Sequence, residues 1–222
     1  MDKEFFFSIL KNTADALHIA YKCNQENKCD QKSNYEFDQS CRLVFPKKRD
    51  GSSRISEQEL RFEFIHQLLK KNQDRYWYSI ETPTGKSYSG FVTGQPVQHD
   101  NGQSGEFDLS IFDKKGERIT LVEFKAHNPK PADYQKDLLK MNTEGKNTVC
   151  YFIQLLKSVN AGTFKNIINK KLQNKKLLST DQNTSIGNIN YFCIVLDKNE
   201  IYQYNARIKQ IEKVSIITTN QF

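Results

Sequence analysis

The stretch "NTVCYFIQLL", residues 147–156, constrains the fold more than any other part of this chain. Its apolar run is continuous. A strand with one wet face alternates, whereas a continuous run demands cover on both faces and marks a central strand. A second strand-like run, "NINYFCIVLD", follows at 188–197. Flanking segments supply candidate covers. Residues 3–22, "KEFFFSILKNTADALHIAYK", place Phe6, Leu10, Thr13 and Leu17 near one helical face. "NPKPADYQKDLLKMNTEG" opens with prolines, which suit a helix start, and Tyr134, Leu138 and Met141 then share a face.

The remaining segments fill in the order. Residues 23–41 are polar and poor in apolar residues, as a loop would be, and Pro46 and Gly51 mark a boundary near residue 50. "ISEQELRFEFIHQLLKK" is a well-signalled helix. Ser56 is a good N-cap, Glu59 sits three residues later, and Ile55 and Leu60 flank as a hydrophobic staple. "RYWYSIE" reads as a strand, and the glycine-rich 82–105 as turns with a possible hairpin. "EFDLSIFD" and "RITLVEFKA" form a hairpin turning at "KKG". "GTFKNIINKKLQNKKLL" reads as a basic amphipathic helix, and 200–219 as edge-strand material. The expected class is α/β, a mixed sheet covered by helices. Residues 1–50 form an N-terminal helical extension and loop, and 51–222 the main domain.

Composition sets partners and place. The chain of 222 residues carries 33 Lys plus Arg against 26 Asp plus Glu, a formal charge of +7. A basic balance suits polyanions, chiefly nucleic acid, and equally a solvated lysine surface. Asp2 and Glu4 precede the short apolar run "FFFSIL", unlike a signal peptide. No segment approaches the roughly 20 apolar residues that span a bilayer, so a cytoplasmic location is the expectation. Five cysteines lack metal-ligand spacing, and Cys150 and Cys193 lie inside apolar runs, as buried reduced thiols do.

The charged residues of the hairpin carry the chemistry. Asp108 sits mid-strand in "EFDLSIFD"; Glu123 and Lys125 sit two residues apart in "LVEFKA", hence on one face. The turn brings Asp108 and Glu123 close to opposite positions. Two carboxylates so placed raise each other's pKa unless a cation lies between them. Lys125 is one such cation. A divalent metal is another, since Mg²⁺ takes one or two carboxylates and keeps several waters. The helix at 55–71 offers a third acid. At about 100° per residue, Leu60, Phe64, Ile65, Leu68 and Leu69 form one broad face with Glu57 in its middle. Glu59 and Glu63 fall on the other side. Glu57 either turns to the sheet or is a first-turn acid favoured by the helix dipole and paired with Arg61.

An acid on a leading helix, an Asp on one strand, Glu-x-Lys on the next and then a helix resemble the PD-(D/E)XK nuclease superfamily, the restriction-endonuclease-like fold. The matching residues are Glu57, "FD" at 107–108 and "EFK" at 123–125, within roughly residues 51–197. Phe107 stands where the name-giving proline would be. The resemblance implies a Mg²⁺- or Mn²⁺-dependent nuclease, acting on DNA in defence or repair. It implies Asp108, Glu123 and the carbonyl of Phe124 as metal ligands, with Glu57 completing the shell. Lys125 would orient the attacking water or stabilise developing charge. Cutting both strands would favour a homodimer. A catalytically inactive nucleic-acid-binding or interaction module is the alternative, and a purely structural charged hairpin a third.

Other signals carry less. In "TPTGKS" the first glycine of a phosphate-binding loop would fall at Ile80, inside a strand, which excludes the motif. His66 lies on a polar helix face and His99 in a turn region. His127, just past Glu-x-Lys, lies where it could reach a phosphate. Gln135 and Lys140 could contact a scissile strand or form a solvated face, and Asp137 could be a salt-bridge partner. The lysines of 165–176 could grip a DNA backbone.

Overall fold

Along the chain the elements are α1 (Lys3–Gln25), α2 (Glu57–Asn72), β1 (Trp77–Ser89), β2 (Val97–Gln98), β3 (Gln103–Phe112), β4 (Arg118–Ala126), α3 (Pro131–Glu144), β5 (Val149–Leu156), β6 (Ile189–Val195), β7 (Glu200–Asn205) and β8 (Gln210–Val214). The computed structural model describes residues 1–25, 43–89, 97–98, 102–145, 148–160, 162–164, 189–205 and 210–214. Among them the strands form one sheet of eight, in the order β2-β1-β3-β4-β5-β6-β7-β8. The β4–β5 and β5–β6 pairs are parallel and the others antiparallel. This is an α/β architecture with a mixed sheet flanked by helices. The basic segment 162–178 lies almost wholly outside the described residues, as do Cys29, Cys41 and His99.

The apolar run at 149–156 is an interior strand, buried at every position but its first. Its alternate residues feed two cores. Tyr151, Ile153 and Leu155 join Phe6, Ile9, Leu10 and Leu17 of α1 and Leu60, Phe64 and Leu68 of α2. Cys150, Phe152 and Leu156 join Tyr134, Leu138 and Met141 of α3. Phe6 stacks on Tyr151 with ring centroids 3.4 Å apart. So α1 shares a core with the sheet. The thiols of Cys150 and Cys193 are buried, and burial pushes the Cys150 thiol up to about 11, as an inert thiol requires.

α2 begins as its capping pattern dictates. The Glu59 carboxylate accepts the Ser56 N–H at 2.9 Å, and Ile55 and Leu60 are both buried. Its buried surface is wider than a sheet-facing stripe. Glu59, Glu63 and Gln67 are buried, whereas Leu69 is exposed. The expectation that Leu69 lies on the buried face is corrected. So is the picture of Glu59 and Glu63 as polar-side residues, because α1 packs along α2 and Asn12 reaches Gln67 at 3.4 Å. Gln67 donates to Glu63 at 2.7 Å and Arg54 pairs with Glu59 at 3.0 Å, so both buried acids are satisfied.

The glycine-rich stretch from 82 is not turn up to Ser89: β1 runs through it. A register shift against β3 between Pro83 and Ser87 absorbs the proline and Gly85. The Glu144 carboxylate at the end of α3 accepts the amides of Gly85 and Lys86, each at 2.9 Å. Two amides of "TPTGKS" are therefore committed to a protein carboxylate, in keeping with the exclusion of a phosphate-binding loop.

Candidate active site

The sheet changes direction where the charged residues meet. The described β3–β4 ladder runs from Phe112↔Arg118 to Leu109↔Val122, so Asp108 and Glu123 are the next positions in register. On the other flank Asp108 lies between the pairs Ile80↔Leu109 and Thr82↔Phe107, opposite Glu81. Glu81 has φ of 50°, a left-handed conformation that costs a non-glycine residue about 1 kcal/mol. Phe107 and Leu109 have the same parity, yet Leu109 enters the α1–α2 core and Phe107 the α3 core. The strand is thus turned about at Asp108. The Asp108 side chain replaces the interrupted ladder, with Oδ2 accepting the Phe124 N–H at 2.7 Å.

Glu123 is buried, and its Oε1 accepts from Lys140 Nζ of α3 at 2.7 Å. Lys140 also bonds Asp137 Oδ1 at 2.9 Å and donates to the Glu106 carbonyl. Its ammonium lies 5.3 Å from the Phe107 ring centroid. Lys125 forms an ion pair with Asp137 Oδ2 at 2.9 Å and reaches Glu57 Oε2 at 3.7 Å. Glu57 therefore turns toward β4, with its side chain still 44% exposed. Arg61 lies 3.9 Å from Asp108 Oδ1 and 3.3 Å from Glu81.

The electrostatics follow from burial and crowding. Burial pushes the Glu123 carboxyl well above the usual carboxylate range. Asp137 and Asp108 push the same way and Lys140 opposes them. Burial also raises Glu57, with Lys125 opposing. For Lys125, burial pulls the ammonium down, but Asp137, Glu123 and Asp108 outweigh it and hold the group above the ordinary lysine value. Lys140 is raised in the same way by Glu123 and Asp137 against its burial. Both lysines are therefore cations at neutral pH.

The structure thus brings Glu57, Asp108, Glu123 and Lys125 to the end of β4. It does not gather the acids around one point. Among the described residues no group of three or more His, Cys, Asp or Glu side chains stands ready to hold a metal ion. Lysines stand between the carboxylates instead. Lys140 is not the solvated or strand-contacting residue its helix suggests, because its side chain is 2% exposed and its three donors are all taken. Asp137 is a salt-bridge partner twice over. The clue in the sequence was the three-residue spacing of Asp137 and Lys140, which places them together on a helix. His127 donates from Nε2 to the Ile55 carbonyl at 2.7 Å, which ties the start of α2 to the end of β4 and so positions Glu57. Its ring is held in that tie, not extended toward a phosphate.

The donor set suits a hard divalent cation. Asp108 and Glu123 are each held through one oxygen, by the Phe124 amide and by Lys140, while Asp108 Oδ1 faces Arg61 at 3.9 Å. Two carboxylates, a strand carbonyl and water meet the needs of Mg²⁺. Comparison with protein-family models, curated proteins and solved structures finds no match for the chain. Among the described residues, no helix is long and apolar enough to cross a membrane.

Proposed function

We propose that this chain is a divalent-metal-dependent nuclease with a restriction-endonuclease-like core, hydrolysing phosphodiester bonds in DNA. The supporting observation is the meeting of Asp108, Glu123, Lys125 and Glu57 at one sheet discontinuity, where β3 turns away from β4. Asp108, Glu123 and the Phe124 carbonyl would hold Mg²⁺ or Mn²⁺, with Glu57 reaching it through water. When bound, the cation supplies Lewis acidity, neutralising phosphate charge and acidifying water beside it.

Hydrolysis joins a water oxygen to phosphorus and breaks the bond to a sugar oxygen. Lys125 is an ammonium in this site, so it is not the base. It donates, to the attacking water or to the phosphate oxygen on which charge grows. Asp137 holds Lys125 in place from the far side. The excess of lysine and arginine favours the approach of a polyanion, and cleavage of both strands would call for two copies related by a two-fold axis.

A second reading has its own observation. Lys125 and Lys140 already pair with Glu57, Glu123 and Asp137. A catalytically inactive binding module that keeps this lattice as structure is consistent with that pairing. Thermal unfolding with and without Mg²⁺, Mn²⁺ or Ca²⁺ separates the two. A cation at about a hundred times its Kd adds roughly 2.7 kcal/mol to the folded state. The nuclease reading expects that gain in the wild type and its loss in Asp108→Ala; the inactive module expects neither.

A further inference from the structure

Lys140 is the most completely enclosed charge in the described structure that the nuclease reading does not use. Its ammonium spends its donors on Glu123 Oε1 at 2.7 Å, Asp137 Oδ1 at 2.9 Å and the Glu106 carbonyl. It therefore bridges two carboxylates from different elements, β4 and α3, as a bridging divalent ion would. Its path is prepared: a Cβ on Gly105 would stand 2.8 Å from Lys140 Cδ, so any other residue there would push the lysine aside. The far end of the bridge is fixed as well, because Asp137 also binds Lys125.

We infer that Lys140 is a built-in second cation: it occupies the bridge between Glu123 and Asp137, so the site takes one divalent ion, on the Asp108 side, and not two. The inference rests on the nuclease reading and specifies the metal stoichiometry of that site. Geometry supports it: the Lys140 ammonium already sits 2.7 Å from Glu123 Oε1 and 2.9 Å from Asp137 Oδ1, so a second divalent ion between these carboxylates would have to displace it. Lys140 acts through Glu123 and is a positioning residue, without a donor left for the phosphate.

Calcium titration calorimetry on the full chain tests this without turnover. Wild type is expected to bind one Ca²⁺, and Asp108→Asn to lose it. Lys140→Met, which keeps the buried stem and removes the charge, is expected to bind two. Because Lys140→Met strands two buried carboxylates and can fail to fold, the wild-type stoichiometry decides by itself. Two ions in wild type would overturn the inference and leave the nuclease reading standing. A folded Lys140→Met that still binds one would also overturn it. No Ca²⁺ uptake by wild type would overturn the nuclease reading and this inference with it.

Discussion

The two faces of β4 are built from alternate residues of one short strand, and they differ in kind. On one face Val122 and Phe124 enter an apolar core shared by α1, α2 and five strands, with the Phe64 and Phe124 rings 5.5 Å apart. On the other, Leu121 is followed by Glu123 and Lys125, whose partners are charged side chains from α2 and α3. The first face stabilises by burial and close packing. The second removes charges from water and recovers much of that cost through ion pairing, so it adds little net stability. A strand that gives one face over to a costly charge cluster is what the proposed nuclease site would require.

The largest effects should fall on the apolar face. Phe6→Ala and Phe124→Ala should each cost about 3–5 kcal/mol in denaturant unfolding. A loss below about 1 kcal/mol for Phe6→Ala would mean that α1 is not part of the core that its stacking on Tyr151 indicates.

On the charged face the expected sign reverses. Burial, reinforced by Asp137 and Asp108, holds the Glu123 carboxyl above its ordinary value. The folded metal-free protein keeps that proton to higher pH than the unfolded chain does. Its stability should therefore fall as pH rises from the ordinary carboxylate range through the raised value. Glu123→Gln retains an acceptor for Lys140 and removes the charge. It should flatten that slope and leave the metal-free protein at neutral pH as stable as wild type, or up to about 1 kcal/mol more so. A loss of several kcal/mol instead would make the cluster a structural ion-pair lattice, and the contrast between the faces would collapse. Smallest of all, Phe62→Ala on the exposed side of α2 should stay within about 0.5 kcal/mol of wild type in the same unfolding assay, since its ring is 60% exposed.

The sequence showed the hairpin well, because apolar residues alternate with Asp108 and Ser110 in β3 and with Glu123 and Lys125 in β4, and because Gly116, which adopts φ of 78°, marks the turn. It showed the start of α2 through Ser56 and Glu59. What it hid was long-range. β1 continues past Pro83 and Gly85 because a left-handed Glu81 and a register shift against β3 accommodate them, and both are properties of the pair of strands. Glu59 and Glu63 are buried because a helix some fifty residues earlier in the chain covers α2. Lys140 looked like a surface lysine because its acceptors come from α3 itself, from β4 and from β3, which only the folded sheet assembles.

The most direct test of the central claim is cleavage of supercoiled plasmid and labelled single strands, with Mg²⁺, Mn²⁺ or EDTA, comparing wild type with Lys125→Ala. Wild type should cut in a metal-dependent way that EDTA abolishes. The variant should cut about 10²- to 10³-fold more slowly, the scale of losing one charge-stabilising donor, while staying folded by circular dichroism. Cutting that survives Lys125→Ala unchanged, or no metal-dependent cutting of any strand by wild type, would contradict that claim.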